Sequence, residues 1–275
     1  LSVSICHDEV VLTPTHAKTR QPQVVAHRGA SAEYPEHTLA AYRAAIAQGA
    51  DALECDVRLT VDGELVCLHD RTLRRTGLSD GIVSTSTLAE LNQIDFGAWK
   101  PQTEATWERE DVGVLTLRRL LETAAESGVK LAIEAKHPTR YGPQVEESLV
   151  RVLEEFGWTG ADSPVRVMSF SWVALRRIRR LAPALDVVYL MDRTHQWWRV
   201  QPVADPDWIA GPGIKVVKRA PDQVSAMIKA GTRVHVWTVN DPADVDLCND
   251  FGVDAIITDK PAETRVRLRS HALLG

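Results

Sequence analysis

The sequence predicts an α/β fold, a TIM (β/α)8 barrel with a small excursion after the third strand. From Val24 onward, short apolar runs alternate with longer amphipathic stretches, the rhythm of parallel α/β architectures. Several of the helical stretches end in glycine, at Gly49, Gly128, Gly157 and Gly231, where a left-handed C-cap turns the chain into the next strand. No G-x-G-x-x-G follows the first strand, which leaves little support for the alternative, a doubly wound open sheet. A length of 275 residues suits one such barrel.

Taken in order, strands are expected over residues 24–27, 52–59, 65–69, 131–136, 165–170, 187–191, 214–217, 234–239 and 255–258. Apolar residues at helical spacing predict helices over 38–48, 115–127, 145–156, 172–181 and 221–230. Residues 1–21 read as an N-terminal arm and 22–275 as a single barrel domain. The second and third strands are joined by Thr60-Val61-Asp62-Gly63-Glu64, too short for a helical crossover, so they form a hairpin. A two-residue Asp62-Gly63 turn would make paired positions sum to 125 and set Asp56 opposite His69. The segment 71–112, rich in Thr, Ser, Gly, Asp and Trp, is long enough to form a cap over the barrel mouth.

Hydrophobic residues at 44% and charged residues at 25% describe a chain able to bury a sizeable core. The net charge of -5, with Lys and Arg scattered, leaves no electrostatic footprint for nucleic acid. Nothing approaches the roughly 18 to 20 apolar residues of a membrane span, so stable membrane insertion is not expected. A cytoplasmic location is expected, or a secreted one if a presequence preceded Leu1. Cys6, Cys55, Cys67 and Cys248 form no C-x-x-C pair and are read as reduced, Cys55 and Cys67 as small buried hydrophobes. Oligomeric state leaves no mark in the sequence.

Titratable residues gather at the ends of the predicted strands, where barrel chemistry is located. The first strand ends in His27-Arg28-Gly29, the second carries Glu54-Cys55-Asp56, the third ends in His69-Asp70, and the fourth carries Glu134-Ala135-Lys136. Alternation puts Glu54 and Asp56 on one face, and Glu134 and Lys136 likewise. Converging carboxylates repel one another, so Glu54, Asp56 and Glu134 call for one divalent cation, and oxygen ligation favours Mg2+ or Ca2+ over zinc. The alternative is that these acids pair with Arg28, Arg58 or Lys136 in salt bridges. His27 and His69 suit a general acid and a general base, while Arg28 and Lys136 could hold a phosphate. The paired arginines Arg176, Arg177, Arg179 and Arg180 read as a solvated helix face, and Trp197 and Trp198 as packing or pocket lining.

These residues, with Pro35-Glu36-His37-Thr38, Thr60-Val61-Asp62-Gly63, Val236-Trp237-Thr238-Val239-Asn240 and Ile257-Thr258-Asp259-Lys260-Pro261, resemble the glycerophosphodiester phosphodiesterase family. The resemblance runs from about Val24 to about Thr264. It implies a TIM-type barrel and a divalent ion held by Glu54, Asp56 and Glu134. It implies catalytic histidines at His27 and His69, and phosphate contacts from Arg28 and Lys136. Phe170 and Trp237 would line the pocket around glycerol or the leaving group. His37 departs from the asparagine usual at its position. The implied reaction releases sn-glycerol 3-phosphate and an alcohol from a small glycerophosphodiester, through a cyclic phosphate formed by attack of the vicinal glycerol hydroxyl. A lysophospholipase D-like lipid phosphodiesterase and a catalytically silent phosphodiester-binding barrel are the competing readings.

Overall fold

The computed structural model describes residues 21–102, 105–193 and 195–274. Among the described residues nine strands are present: β1 (Gln23–His27), β2 (Ala52–Leu59), β3 (Leu65–Cys67), β4 (Lys130–Ala135), β5 (Val165–Ser169), β6 (Asp186–Met191), β7 (Ile209–Pro212), β8 (His235–Val236) and β9 (Ala255–Thr258). All except β3 are parallel to their neighbours, in the order β7-β6-β5-β4-β2-β1-β9-β8. Parallel bridges between Ala210 and Val234, and between Gly213 and Trp237, join the two ends into a nearly closed barrel of eight parallel strands.

Strand alternation builds the layers. Outward residues such as Val24, Ala26, Leu53, Val57, Leu131 and Ile133 enter the main core beneath the helices. Inward residues such as Val25, Ala52, Ala132, Met168, Val188 and Ile257 fill the barrel itself. Along β2 and β4 the inward row turns from apolar Ala52 and Ala132 to Glu54, Asp56 and Glu134 toward the carboxyl ends, so the mouth rests on an apolar layer, while Arg166 and Asp186 stand on the inward face at the opposite, amino end.

The helices in chain order are α1 (Leu39–Ala47), α2 (Leu88–Leu91), α3 (Leu117–Ser127), α4 (Gln144–Glu155), α5 (Trp172–Leu181), α6 (Gln196–Val200), α7 (Ile214–Arg219), α8 (Pro221–Lys229), α9 (Pro242–Phe251) and α10 (Pro261–Leu274). Thr38, Thr116 and Ser171 cap α1, α3 and α5 by accepting backbone N–H bonds from Ala41, Arg119 and Ala174. All four glycines expected to end helices have positive φ. The sequence reading did not find α9 and α10, although Pro242 and Pro261 at their starts are the signal for a first helical turn.

Two expectations are corrected. Residues 214–217 begin α7, and the strand is β7, immediately before them. The β-branched Ile214, Val216 and Val217 suggested a strand, whereas Gly211 and Pro212 argued against one. Packing overrides both propensities, because a Cβ on Gly211 would meet the Leu190 and Val188 side chains at 2.9 Å. The hairpin register is also one residue from that expected: Val57 pairs with Cys67, Arg58 with Val66 and Leu59 with Leu65, so positions sum to 124. The loop is Val61, Asp62 and Gly63, closed by Thr60 N–H donating to Glu64 O at 2.9 Å, with Gly63 at φ 88°. A third loop residue in the left-handed region replaces the tight two-residue turn. Asp56 therefore lies across from Leu68, whose N–H donates to its carbonyl, and His69 leaves the ladder.

The excursion after β3 has a small core in which Leu73, Val83, Leu91 and Phe96 pack on Val66 and Leu68. It also reaches the mouth, where Lys100 Nζ donates to Ser31 O at 2.7 Å. Cys55, Cys67 and Cys248 are buried and free, and Cys6, like arm residues 1–20, lies outside the described residues. No helix among the described residues is long and apolar enough to cross a membrane.

Candidate active site

Glu54 and Asp56 from β2 and Glu134 from β4 converge because Asp56 pairs with Glu134 across the parallel ladder and Glu54 lies two residues earlier on the same face. One oxygen from each can be chosen so that all lie within 4.8 Å of one another, and all three residues are buried. The local electrostatics are unequal. Burial, with the charge of Asp56, pushes Glu54 well above the usual carboxylate range. The same causes push Glu134 up to about 8. Burial alone would raise Asp56 too, yet the His37 hydrogen bond and the charges of Lys136, His37 and Arg28 hold it well below its usual value.

Part of the negative charge is met by protein cations. Lys136 Nζ lies 2.9 Å from Glu134 Oε1 and 3.2 Å from Asp56 Oδ1, and those acids keep it charged despite burial. Arg28 Nε lies 3.1 Å from Asp56 Oδ2. The salt bridges expected as the alternative to a metal are thus present for Arg28 and Lys136. Arg58 takes another course: its Nε and Nη2 donate to His69 O at 2.9 and 2.6 Å. Glu54 has no such ion pair among the described residues, where its carboxylate accepts only the Arg28 N–H, at 2.9 Å. Three buried carboxylates set against Arg28 and Lys136, with Glu54 in no ion pair among the described residues, fit a hard divalent cation.

The two histidines sit at the rim of this cluster in matching arrangements. His27 Nδ1 donates to Asp259 Oδ1 at 2.6 Å, and His69 Nδ1 donates to Asp70 Oδ1 at 2.7 Å. An ionised carboxylate only accepts, so each ring carries its proton on Nδ1 and keeps Nε2 for other work. Asp259 is itself braced by Asn240 Nδ2 at 2.5 Å, and Asp70 by Arg75 Nε at 2.7 Å. Desolvation lowers His69 below the usual histidine value, with Arg28 and Lys136 adding to the effect and Asp56 opposing it.

Phe170 and Trp237 meet edge to face with ring centroids 5.3 Å apart, and Trp237 Nε1 donates to Gly211 O at 2.7 Å. All nine site residues read from the sequence therefore stand at the barrel mouth. Trp197 is buried while Trp198 is exposed, so the pair divides between packing and surface. On the arginine-rich α5, Arg177 pairs with Glu146 at 3.1 Å and Arg179 with Asp207 at 2.9 Å, while Arg176 lies over the Trp172 ring.

Sequence reasoning gave no role to Asp259, Asp70, Asn240, Arg75 or Tyr42. The strand-end position of Asp259 and the adjacency of Asp70 to His69 were available signals. His37 is buried, with Nδ1 2.8 Å from Tyr42 Oη and Nε2 2.9 Å from Asp56 Oδ2, so it orients a carboxylate of the cluster. Glu36 is gripped by Arg75 and Arg28 and does not join the three-acid group.

Comparisons with known proteins bear on the family and the fold. Residues 27–263 match the Glycerophosphoryl diester phosphodiesterase family. A Mycobacterium tuberculosis protein named "Probable glycerophosphodiester phosphodiesterase 1" is 43% identical over 92% of this chain and 95% of its own length. A Caldanaerobacter subterraneus glycerophosphodiester phosphodiesterase is 32% identical over 89% of this chain and 96% of its own. The structure of an Oleispira antarctica phosphodiesterase in complex with the product sn-glycerol-3-phosphate superposes with a TM-score of 0.78 at 30% identity, covering 90% of this chain and 97% of that one.

Proposed function

Because this chain belongs to the glycerophosphoryl diester phosphodiesterase family and is an enzyme of that kind, we propose that it releases sn-glycerol 3-phosphate and an alcohol by histidine acid–base catalysis with one divalent cation. The observation that carries this reading is the pair of carboxylate-anchored imidazoles, His27–Asp259 and His69–Asp70, at the rim of a buried three-carboxylate cluster.

Glu54, Asp56 and Glu134 would hold the cation, Mg2+ or Ca2+, which when bound supplies charge neutralisation at the phosphate. Arg28 and Lys136 add fixed positive charge for the phosphoryl oxygens. One histidine takes the proton of the vicinal glycerol hydroxyl through Nε2, and that oxygen forms the new bond to phosphorus. The other gives a proton to the departing alcohol oxygen as its bond to phosphorus breaks. Hydrolysis of the resulting cyclic phosphate exchanges the two roles. Residues 71–112 act as a cap over the mouth of the single barrel domain, with Phe170 and Trp237 walling the substrate on another side.

The test is release of glycerol 3-phosphate from several glycerophosphodiesters, with and without chelator, for this protein and for His69→Ala. Chelator-sensitive release that is lost in the variant supports the assignment. No release by folded, metal-loaded protein overturns it. Exposed Phe170, Trp172, Val173 and Trp198 after β5 and β6 favour a second reading, lysophospholipase D-like activity. Preferential hydrolysis of lysolipid micelles would bring it forward. A silent barrel is disfavoured by the presence of both histidines and all three acids.

A further inference from the structure

Next to the carboxylate cluster, on the side of the hairpin and of the loop after β4, lies an open surface pocket. Arg58, Arg71, Arg140, Lys136, Ser84 and Thr139 supply its polar lining, and among the described residues none of the lining is acidic. Arg58 comes from β2, Arg71 and Ser84 from the excursion, and Thr139 and Arg140 from the loop after β4. Three separate segments thus bring cations to one place.

Among the described residues none of Arg58, Arg71 and Arg140 has a carboxylate within salt-bridge distance, and Arg58 and Arg71 are close enough to oppose each other's charge. The carboxylates acting on Arg58 are Asp56, Glu134 and Asp70. All three are otherwise engaged, Asp56 by His37, Arg28 and Lys136, Glu134 by Lys136, and Asp70 by His69 and Arg75. Gathered cations without anions repel one another, and an arriving anion removes that cost.

The pocket adjoins the carboxylate cluster through shared residues. Lys136 lines it and also contacts Glu134 and Asp56, while Arg58 holds the carbonyl of His69. Trp237 follows β8, four strands from β4 in either direction round the barrel. A phosphodiester at the centre has two substituents, and the mouth offers them one aromatic and one cationic wall. Uncharged glycerol suits the aromatic wall.

We propose that the Arg58–Arg71–Arg140 pocket is a leaving-group subsite for alcohols carrying a second anionic group, so that the enzyme prefers glycerophosphodiesters with an anionic head. This rests on the phosphodiesterase reading and names the substrate class within it. A cationic head group such as choline is disfavoured there by the same charges.

The test compares glycerophosphoinositol with glycerophosphoinositol 4-phosphate, in which the same bond breaks and only the remote phosphate differs. It uses the full-length, metal-loaded protein, Arg71→Gln, Arg140→Gln and the double variant, all substitutions of exposed side chains. The native protein should favour the phosphorylated substrate by about tenfold in kcat/KM, chiefly through KM. The double variant should bring the ratio near one while leaving turnover of glycerophosphoinositol unchanged. Turnover of both substrates without preference overturns the subsite alone. If free inorganic phosphate alters glycerophosphoinositol turnover in the native protein only, and the substrates are not distinguished, the pocket takes a free anion and the head-group assignment fails. No turnover of either substrate overturns the phosphodiesterase reading and this inference with it.

Discussion

Glu36 illustrates how charge pairing at single residues sets the behaviour of the mouth. It accepts from Arg75 Nη1 and Nη2 at 2.6 and 2.7 Å and from Arg28 Nη1 at 3.0 Å. Burial alone would raise its pKa, but these bonds, with the charges of His37, Arg28 and Arg75, bring it down from 4.5 to about 2. A carboxylate depressed in the folded state contributes stability above its unfolded value and loses it as pH falls through the folded one. Asp259, lowered from 3.8 to about 2, has the same sign. The thermal midpoint should therefore drop between about pH 4.5 and 2, and Glu36→Gln should flatten that drop while costing on the order of 3 kcal/mol at pH 7. A midpoint whose acid limb is unchanged in the variant would contradict this. At the histidines, His27→Ala and His69→Ala should each lower kcat by about 10² to 10⁴ with folding intact. Asp259→Asn keeps the ring's neighbour but removes its charge, so kcat should fall at least about tenfold with little change in KM. Steady-state kinetics beside circular dichroism checks both.

Among the elements, the turn after β1 is the least tolerant. Gly29 has φ 88°, and a Cβ there would meet the Ala41 backbone carbon of α1 at 2.6 Å. That close approach lets Arg28 N–H reach Glu54 and sets His27 at the rim. Gly63 has the same φ but open space around it. Denaturant unfolding should show Gly29→Ala losing more than about 2 kcal/mol together with activity, and Gly63→Ala losing about 1 kcal/mol with activity retained. Equal losses would mean that dihedral strain, not the contact with α1, sets the cost. The same elements mark how far local reading carried. β1, β2, β4 and β5 were legible because each is a short apolar run between helical stretches or turn signals, a property of neighbouring residues. β7 was not, because Ile209, Ala210, Gly211 and Pro212 form a strand only where adjoining strands leave room for a glycine. The hairpin slipped by one residue because Gly63 closes a three-residue loop, a choice that the Asp-Gly pair alone does not settle.

For the whole molecule, the barrel collects buried negative charge at one end of an apolar interior, so cation binding and folding stability should be linked. Addition of Mg2+ or Ca2+ to chelated protein should raise the thermal midpoint, by an amount equivalent to about 2.7 kcal/mol at a hundredfold excess over Kd. Glu54→Gln and Glu134→Gln should abolish the rise. A midpoint indifferent to both ions would remove the metal assignment while leaving the fold untouched. By itself the sequence determined the barrel class, the inward rows of β2 and β4, and the chemical identity of His27, His69, Glu54, Asp56 and Glu134, because side-chain alternation and strand ends are read from adjacent positions. Only the tertiary structure decided that Asp259 would meet His27 across 232 residues, that His37 would orient Asp56, and that Arg58, Arg71 and Arg140 would share a pocket. Those contacts follow from barrel closure, which joins the last strands to the first, and from the loops that cross its mouth; no local periodicity encodes either.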